Sequence, residues 1–174
     1  MLVTVSGLPG SGTSTVARLA AQRLGLAHVD GGTVFRAMAS ERGLGLRAFS
    51  SVAEANPEID IELDARLAAV ARAGNVVLES RLAAWIAANE GIPGTRVWID
   101  GDEGVRAQRV ALREQTEPGQ ALEANRAREA SERHRYKTLY GIDLDDRSVY
   151  DLVIDATDQS AEAVAESIVA AASK

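Results

Sequence analysis

The segment from residue 7 to residue 15 combines glycines and hydroxyl residues in an order that suits the binding of an anion. It reads Gly7-Leu8-Pro9-Gly10-Ser11-Gly12-Thr13-Ser14-Thr15. Its two outer glycines stand five positions apart and a hydroxyl follows two positions after the second, which is the Walker A spacing. Glycine lets the backbone wrap an anion with successive N–H groups pointing inward, and a helix opening there adds its positive end. The pattern predicts a loop that binds the phosphates of ATP, with Mg²⁺ on Ser14.

Thr13 departs from this motif, because it stands where the motif has a lysine. A threonine donates one neutral hydrogen bond and supplies no charge. Since a hydrogen bond to a charged group contributes about 1.5–3 kcal/mol, roughly 10–150-fold in binding or rate is at stake. Two alternatives therefore stay open: a glycine-rich turn that binds nothing, and a loop that binds nucleotide without turnover.

Short apolar runs and longer helical patterns alternate along the chain and must position this loop. The runs that predict β-strands are Leu2–Ser6, Ala27–Val29, Asn75–Ser80, Thr95–Asp100 and Asp151–Asp155. The patterns that predict helices are Ser14–Leu24, Thr33–Arg42, Leu46–Ala55, Glu58–Ala73, Arg81–Asn89, Gly104–Glu114, Ala121–Tyr140 and Ala161–Ala172. This alternation predicts an α/β fold with a five-stranded parallel sheet flanked by helices.

No linker or internal repeat divides the sequence, so residues 1–174 are expected to form a single domain. The helices of residues 31–73 fill a long gap between strands and are expected to bind an acceptor. The polar stretch Thr116–Gly119 precedes a charged helix and looks mobile, so residues 115–140 are a candidate lid.

Composition excludes several classes of function. The net charge is −6 and the sequence has no cysteine and two histidines, which rules out disulfides and thiolate metal sites and disfavours a histidine-built one. The acidic balance argues against broad binding to nucleic acid or to an anionic membrane. No apolar stretch approaches the length of a transmembrane helix. We expect a cytoplasmic monomer that acts on small molecules.

Beyond the loop, several blocks resemble the nucleoside monophosphate kinases, and most closely the archaeal-type cytidylate kinases. The resemblance covers nearly the whole chain and is most specific in its later part. The blocks that carry it are residues 7–15, 29–36, 77–81, 97–100, 133–136, 140–143 and 150–154. The resemblance implies a P-loop kinase fold with acceptor-binding helices and a short lid. It also implies transfer of phosphate from ATP to CMP or dCMP.

The resemblance implies acceptor contacts from residues that follow two of the strands. Arg36 would hold the acceptor phosphate with its planar fork, unless it is a solvated helix arginine. Asp30 would orient the loop or a nucleotide hydroxyl, or simply cap the helix. Arg81 directly follows a strand, at the sheet edge where open α/β folds bind ligands, and would contact the acceptor phosphate or base. Ser51 and Asp60 resemble a base-contacting segment, in which the Asp60 carboxylate could accept from the amino group of cytosine.

On the donor side and in the lid the resemblance points mainly to arginines. Arg109 and Arg113 lie four apart on one helical face and would stack on the adenine and reach into the lid. Arg128, Glu132 and Arg135 share a face of the charged helix and match the lid pattern, with Arg133 nearby. We expect Arg113, Arg128, Arg133 and Arg135 to act in catalysis and Glu132 in substrate binding. The alternative is that these are solvated helix faces with local ion pairs.

The sequence leaves other functions open. The acceptor could be AMP or UMP, or a small non-nucleotide such as shikimate or dephospho-coenzyme A. A nucleotide-binding module without turnover is suggested by Thr13 alone. The aromatic residues Phe49, Trp85 and Trp98 are expected to be core or subsite-wall residues. The aspartates of residues 143–146 are expected to serve as turn and cap residues.

Overall fold

Five strands form one parallel sheet in the computed structural model, which describes residues 1–173 except for the side chains of Leu46, Arg47 and Ser50. The strands are β1 Leu2–Gly7, β2 Ala27–Asp30, β3 Val76–Glu79, β4 Thr95–Asp100 and β5 Leu152–Asp155. The helices are α1 Thr13–Leu24, α2 Gly31–Glu41, α3 Leu46–Ala55, α4 Pro57–Ala73, α5 Ala83–Asn89, α6 Glu103–Glu114, α7 Pro118–Tyr140 and α8 Ala161–Ala172. The predicted α/β class and the five predicted strands are confirmed.

The strand order β2-β3-β1-β4-β5 places β1 at the centre of the sheet. All six residues of β1 are buried, as expected of a strand covered on both faces. Helices α1 and α8 pack on one face around Val16, Val164 and Ile168. Helices α4 and α5 pack on the other face around Leu67 and Ala83. Because β1 and β3 are adjacent and parallel, their carboxyl ends meet at one edge of the sheet.

Several boundaries differ from the prediction by one to three residues, and two of these differences have identifiable reasons. Asn75 has a φ of 51° after Gly74, so β3 begins one residue later, at Val76. Helix α7 begins at Pro118 rather than at Ala121, because proline suits the first helical position. The predicted polar loop 116–119 is therefore reduced to Gln115–Glu117 between α6 and α7. Within the described residues, no helix is both long enough and apolar enough to cross a membrane.

Candidate active site

The loop between β1 and α1 is shaped by close backbone contacts that only glycine permits. Gly10 and Gly12 have φ values of 83° and 92°, in the left-handed region that side chains disfavour. A Cβ on Gly10 would lie 2.3 Å from the carbonyl oxygen of Arg106, and a Cβ on Gly7 would lie 2.6 Å from that of Ile99. The loop therefore lies directly on α6 and the end of β4.

A cavity of about 550 Å³ opens over this loop and the start of α1. Arg109 and Arg113 from α6 line it together with loop residues 10–15, as do Arg18, Gln159 and Ala161. Arg109 donates to the carbonyl oxygens of Ala156 and Thr157 at 2.8 and 3.2 Å, which fixes its guanidinium at one wall. Arg113 is 63% exposed and pairs with Glu114. The structure thus brings both predicted donor-side arginines to the loop.

Glu79, at the end of β3, accepts hydrogen bonds from two hydroxyl groups of the loop. Thr13 Oγ1 and Ser14 Oγ donate to Glu79 Oε1 at 2.8 and 2.6 Å, and His28 Nε2 lies 3.0 Å from Glu79 Oε2. The residue in the lysine position therefore bonds to a carboxylate on the neighbouring strand. The hydroxyl and carboxylate oxygens at this point are the donor types that Mg²⁺ prefers.

Asp30 and Arg36 form a local group at the start of α2. Asp30 is the helix N-cap and accepts from the N–H of Thr33 at 2.8 Å. Arg36 Nη2 donates to Thr33 Oγ1 at 2.7 Å and lies 3.9 Å from Asp30. The structure therefore shows the capping role of Asp30. The Arg36 side chain is 57% exposed, so it is accessible to a ligand.

Arg81 and Arg128 converge on one buried carboxylate of α7. Glu132 accepts from Arg81 Nε at 2.6 Å and from Arg128 Nε at 2.9 Å. Burial by itself would raise the pKa of Glu132, but the charges and hydrogen bonds of the two arginines outweigh it and the pKa is lowered. Glu132 is therefore a carboxylate that holds Arg81 at the end of β3.

Asp60 and Asp64 lie on the α4 surface that meets the end of α7. Arg135 Nη1 lies 3.4 Å from Asp60 Oδ2, yet neither that oxygen nor Arg135 Nε makes a hydrogen bond although both are buried. Burial raises the pKa of Asp60. Asp64 accepts a hydrogen bond from the Tyr140 hydroxyl at 2.6 Å, and burial raises its pKa to about 6. Asp64 also lines a mostly apolar cavity of about 310 Å³ between α4 and α5.

The remaining predicted residues are spread over neighbouring elements. Arg133 on α7 pairs with Asp145 and, at 3.5 Å, with Glu129. Ser51 is exposed on α3, which packs on α4 through Phe49 and Ile59. The structure thus forms two charged groups, one at the phosphate loop and one between α4, β3 and α7. Arg36 contacts Thr33 and Asp30 at the start of α2.

The structure also shows the roles of several residues that were expected to be structural. Phe49 and Trp98 are fully buried in core clusters. Asp143 accepts from the N–H of Asp145 and Asp146 from that of Ser148, so both serve turns. Across the described part of the chain, no group of three or more acidic or histidine side chains could hold a metal ion.

Sequence reasoning missed the roles of three buried or partly buried side chains, Asp64, Arg106 and Glu129. Their partners lie on other elements, at sequence distances of 76 residues for Asp64 with Tyr140 and 23 for Arg106 with Glu129. Glu129 shares the buried face of α7 with residues 121, 125 and 132, and that face is recognised only in the fold because most of its residues are polar.

Comparison with solved structures places the fold among known kinases. Over 98% of this chain and 95% of the other, it superposes on shikimate kinase from Bacteroides thetaiotaomicron with a TM-score of 0.65 and 14% identity. It superposes on a gluconokinase from Sinorhizobium meliloti with a TM-score of 0.63 and 17% identity, over 98% and 90% of the two chains. Likeness at this identity shows the P-loop kinase fold.

Comparison of sequences is more specific. A model of the cytidylate kinase-like family matches residues 2–158. A cytidylate kinase of Methanocaldococcus jannaschii is 48% identical over 165 residues, which span 94% of this chain and 93% of the relative. A cytidylate kinase of Methanopyrus kandleri is 46% identical over 164 residues, 90% of this chain and 85% of the relative. With the family model spanning most of its length and relatives this similar, the chain belongs to the cytidylate kinase-like family.

Proposed function

We propose that this protein transfers the γ-phosphate of ATP to CMP, giving ADP and CDP, and that dCMP is also an acceptor. The geometric observation that carries the proposal is that a phosphate-binding loop and Arg81 stand at the carboxyl ends of the adjacent strands β1 and β3. Donor and acceptor phosphates can therefore meet at one sheet edge. The relatives named as cytidylate kinases supply the identity of the acceptor.

On the donor side, the loop of residues 7–15 cradles the phosphates of ATP through its backbone N–H groups and the N-terminus of α1. Arg109 and Arg113, which line the same cavity, contact the adenine and the outer phosphates. Ser14 would hold Mg²⁺, with the Glu79 carboxylate 2.6 Å from its hydroxyl. The ion would supply neutralisation of phosphate charge there.

On the acceptor side, Arg36 and Arg81 hold the phosphate of CMP. Both present a guanidinium fork, which suits bidentate contact with phosphate oxygens. Glu132 positions Arg81 through its 2.6 Å hydrogen bond. Asp30 keeps the start of α2 in place.

Asp60, with Ser51 on the neighbouring helix, faces the base of the acceptor. The buried Asp60 Oδ2 makes no hydrogen bond, so it is available to the amino group of cytosine. UMP lacks this amino group and AMP presents it at a different distance from the phosphate. With UMP bound, Asp60 Oδ2 would still lack a hydrogen-bond donor, so the site would discriminate against UMP.

Catalysis depends on positioning and charge neutralisation, because phosphoryl transfer needs little covalent chemistry from the protein. Movement of the lid, residues 115–140, brings Arg128, Arg133 or Arg135 toward the phosphate in transfer. Closure also excludes water, which limits hydrolysis of ATP. A transition-state arginine is worth about 10³–10⁵ in rate in related systems, more than the roughly 10–150-fold put at stake by Thr13.

We also propose that the chain works as one P-loop kinase domain and as a monomer. The acceptor segment is about residues 31–73. The phosphate loop, the acceptor arginines and the lid arginines all belong to one chain, so the proposed reaction needs no residue from a second copy.

The acceptor is tested by coupled initial-rate measurements with ATP, Mg²⁺ and a panel of CMP, dCMP, UMP, AMP and shikimate. CMP and dCMP should give kcat/KM values at least tenfold above the others, an estimate from one unpaired buried polar group. Comparable turnover of AMP would refute the choice of cytosine and leave the kinase assignment intact. Turnover of shikimate alone would refute both the nucleotide acceptor and the roles given to Asp60 and Ser51.

A further inference from the structure

A buried arginine lies beneath the phosphate loop. Arg106, in the first turns of α6, is 4% exposed. Its Nη1 donates to the carbonyl oxygen of Pro9 at 3.0 Å, inside the loop, and its Nε donates to that of Gly101 at 3.1 Å. One guanidinium therefore joins the loop to the turn between β4 and α6.

The same guanidinium pairs with the lid helix. Arg106 Nη1 lies 2.5 Å from Oε1 of Glu129, which is 6% exposed on α7. The other oxygen of Glu129 faces Arg133 at 3.5 Å, and Arg133 pairs in turn with Asp145. An unbroken series of polar contacts thus runs from a carbonyl of the loop to one of the proposed catalytic arginines.

The backbone of the loop fits this arginine closely. A Cβ on Gly10 would lie only 2.3 Å from the carbonyl oxygen of Arg106, so the loop and α6 touch with no spare space. A displacement of Arg106 would therefore move the loop. Misplacement of a binding group by about 1 Å can cost roughly 10²-fold in rate.

We propose that Arg106 is a positioning residue for the phosphate loop and that Glu129 makes the geometry of the loop depend on the position of the lid helix. Through this pair, α7 and the site for the phosphates of ATP respond to each other. The inference rests on the proposed function only in taking the ligand of the loop to be a nucleoside di- or triphosphate.

A second ion pair between the same two helices provides a matched control. Arg126 of α7 donates to Glu103 of α6 at 2.8 and 2.7 Å, which also joins the two helices. Its side chains are 60% and 40% exposed, and both of its hydrogen bonds run between α6 and α7. Loss of this pair should change the contact between the helices without changing the loop.

The test compares Glu129→Gln, Arg106→Lys and Glu103→Gln. Glutamine keeps the shape of Glu129 without its charge. Lysine keeps the charge of Arg106, but its single ammonium cannot bond Pro9, Gly101 and Glu129 together. The affinity for ADP·Mg²⁺ is measured by calorimetry and needs no turnover. The kcat and the separate KM values for ATP and CMP are measured at a temperature below the melting transition of every variant.

Glu129→Gln and Arg106→Lys should each weaken ADP binding by about tenfold, raise the KM for ATP and lower kcat, with the KM for CMP changed by less than about twofold. Glu103→Gln should leave the four values within about twofold of the wild type. The double variant Arg106→Lys with Glu129→Gln should bind ADP about as weakly as the weaker single variant, because both changes break one unit.

The inference is overturned if Glu129→Gln lowers the melting temperature but binds ADP like Glu103→Gln, since the pair would then only join the helices. It is also overturned if the KM values for ATP and CMP rise equally. Should the wild type fail to phosphorylate CMP while Glu129→Gln still weakens ADP binding, the proposed acceptor is wrong and the role of the pair stands.

Discussion

At the scale of single residues, Asp64 is a carboxylate in an unfavourable place. It lies partly buried on α4, lines a mostly apolar cavity and has Asp60 one turn away. Burial raises its pKa from 3.8 to about 6, although the hydrogen bond from Tyr140 opposes the change. The neutral acid is therefore favoured in the folded protein.

This shift predicts a pH dependence of stability. The pKa of Asp64 is higher in the folded protein than in the unfolded one. The contribution of Asp64 to the free energy of unfolding is therefore present below about pH 4 and is lost as the pH rises through about 6. Asp64→Asn keeps the partner of Tyr140 and removes the ionisation. When the pH is raised from 4 to 8, the free energy of unfolding of the variant should increase relative to that of the wild type by about 2–3 kcal/mol, because a pKa shift of about two units corresponds to this free energy. Urea unfolding of both proteins at the two pH values measures it.

Tyr140→Phe serves as the opposite change. It removes the hydrogen bond that lowers the pKa of Asp64, so the loss of stability with rising pH should become steeper than in the wild type. A difference between Asp64→Asn and the wild type that stays constant from pH 4 to pH 8 would contradict the shift.

The role of a residue could be predicted from the sequence where the residue belongs to a motif. It could not be predicted where the role depends on a contact between distant parts of the chain. The loop residues follow from short-range spacing, and the placing of Arg109 and Arg113 beside the loop follows from the resemblance to the nucleoside monophosphate kinases. The pairing of Asp60 with Arg135, 75 positions along the chain, has no local signal. Asp30 is an intermediate case. The sequence alone left open whether it caps the helix or orients the loop or a nucleotide hydroxyl, and the structure shows the cap.

At the scale of elements, the proposed reaction relies on both the phosphate loop and α7 to neutralise the charge of the transferred phosphate. If α7 arginines have replaced the missing lysine, Thr13→Lys should change kcat/KM for CMP by less than about tenfold, below the loss estimated for one charged hydrogen bond. A lysine there would also meet Glu79, to which Thr13 now donates at 2.8 Å. Arg135→Ala or Arg128→Ala should lower kcat by about 10³-fold, according to which acts in the transition state.

Steady-state kinetics of these variants side by side decides the point, with Arg126→Ala as the control. Arg126 is an exposed arginine of the same helix that pairs with Glu103, and its removal should leave kcat within about twofold. An inactive wild type that gains kinase activity through Thr13→Lys would show instead that the natural loop binds nucleotide without turnover.

Helix α7 also shows how far periodicity can predict an element. Its existence and its end at Gly141 follow from the sequence, since glycine in the left-handed region at a φ of 68° ends helices. Its buried face could not be predicted from hydrophobicity, because that face includes Asn125, Glu129 and Glu132. The acids are buried because arginines of α6 and of the segment after β3 reach them, and such partners are visible only in the fold.

At the scale of the whole molecule, the residues of the site are adjacent because of the order of the strands in the sheet, and the presence of the strands alone would not make them so. The alternation of strands and helices predicted a parallel sheet, but not that β3 would lie beside β1. That adjacency places Glu79 against the loop hydroxyls, and Arg81 follows just past the end of the same strand. In a protein of net charge −6, Arg18, Arg109 and Arg113 line the cavity over the loop.

This chain has threonine in place of the loop lysine, and we expect it to be an active kinase for CMP. The most direct measurement is phosphorus NMR of the wild-type protein with ATP, Mg²⁺ and CMP. We predict that ADP and CDP appear together, one of each for every ATP consumed, with little orthophosphate. Unchanged ATP, or ATP converted to ADP and orthophosphate while CMP remains unphosphorylated, would contradict it.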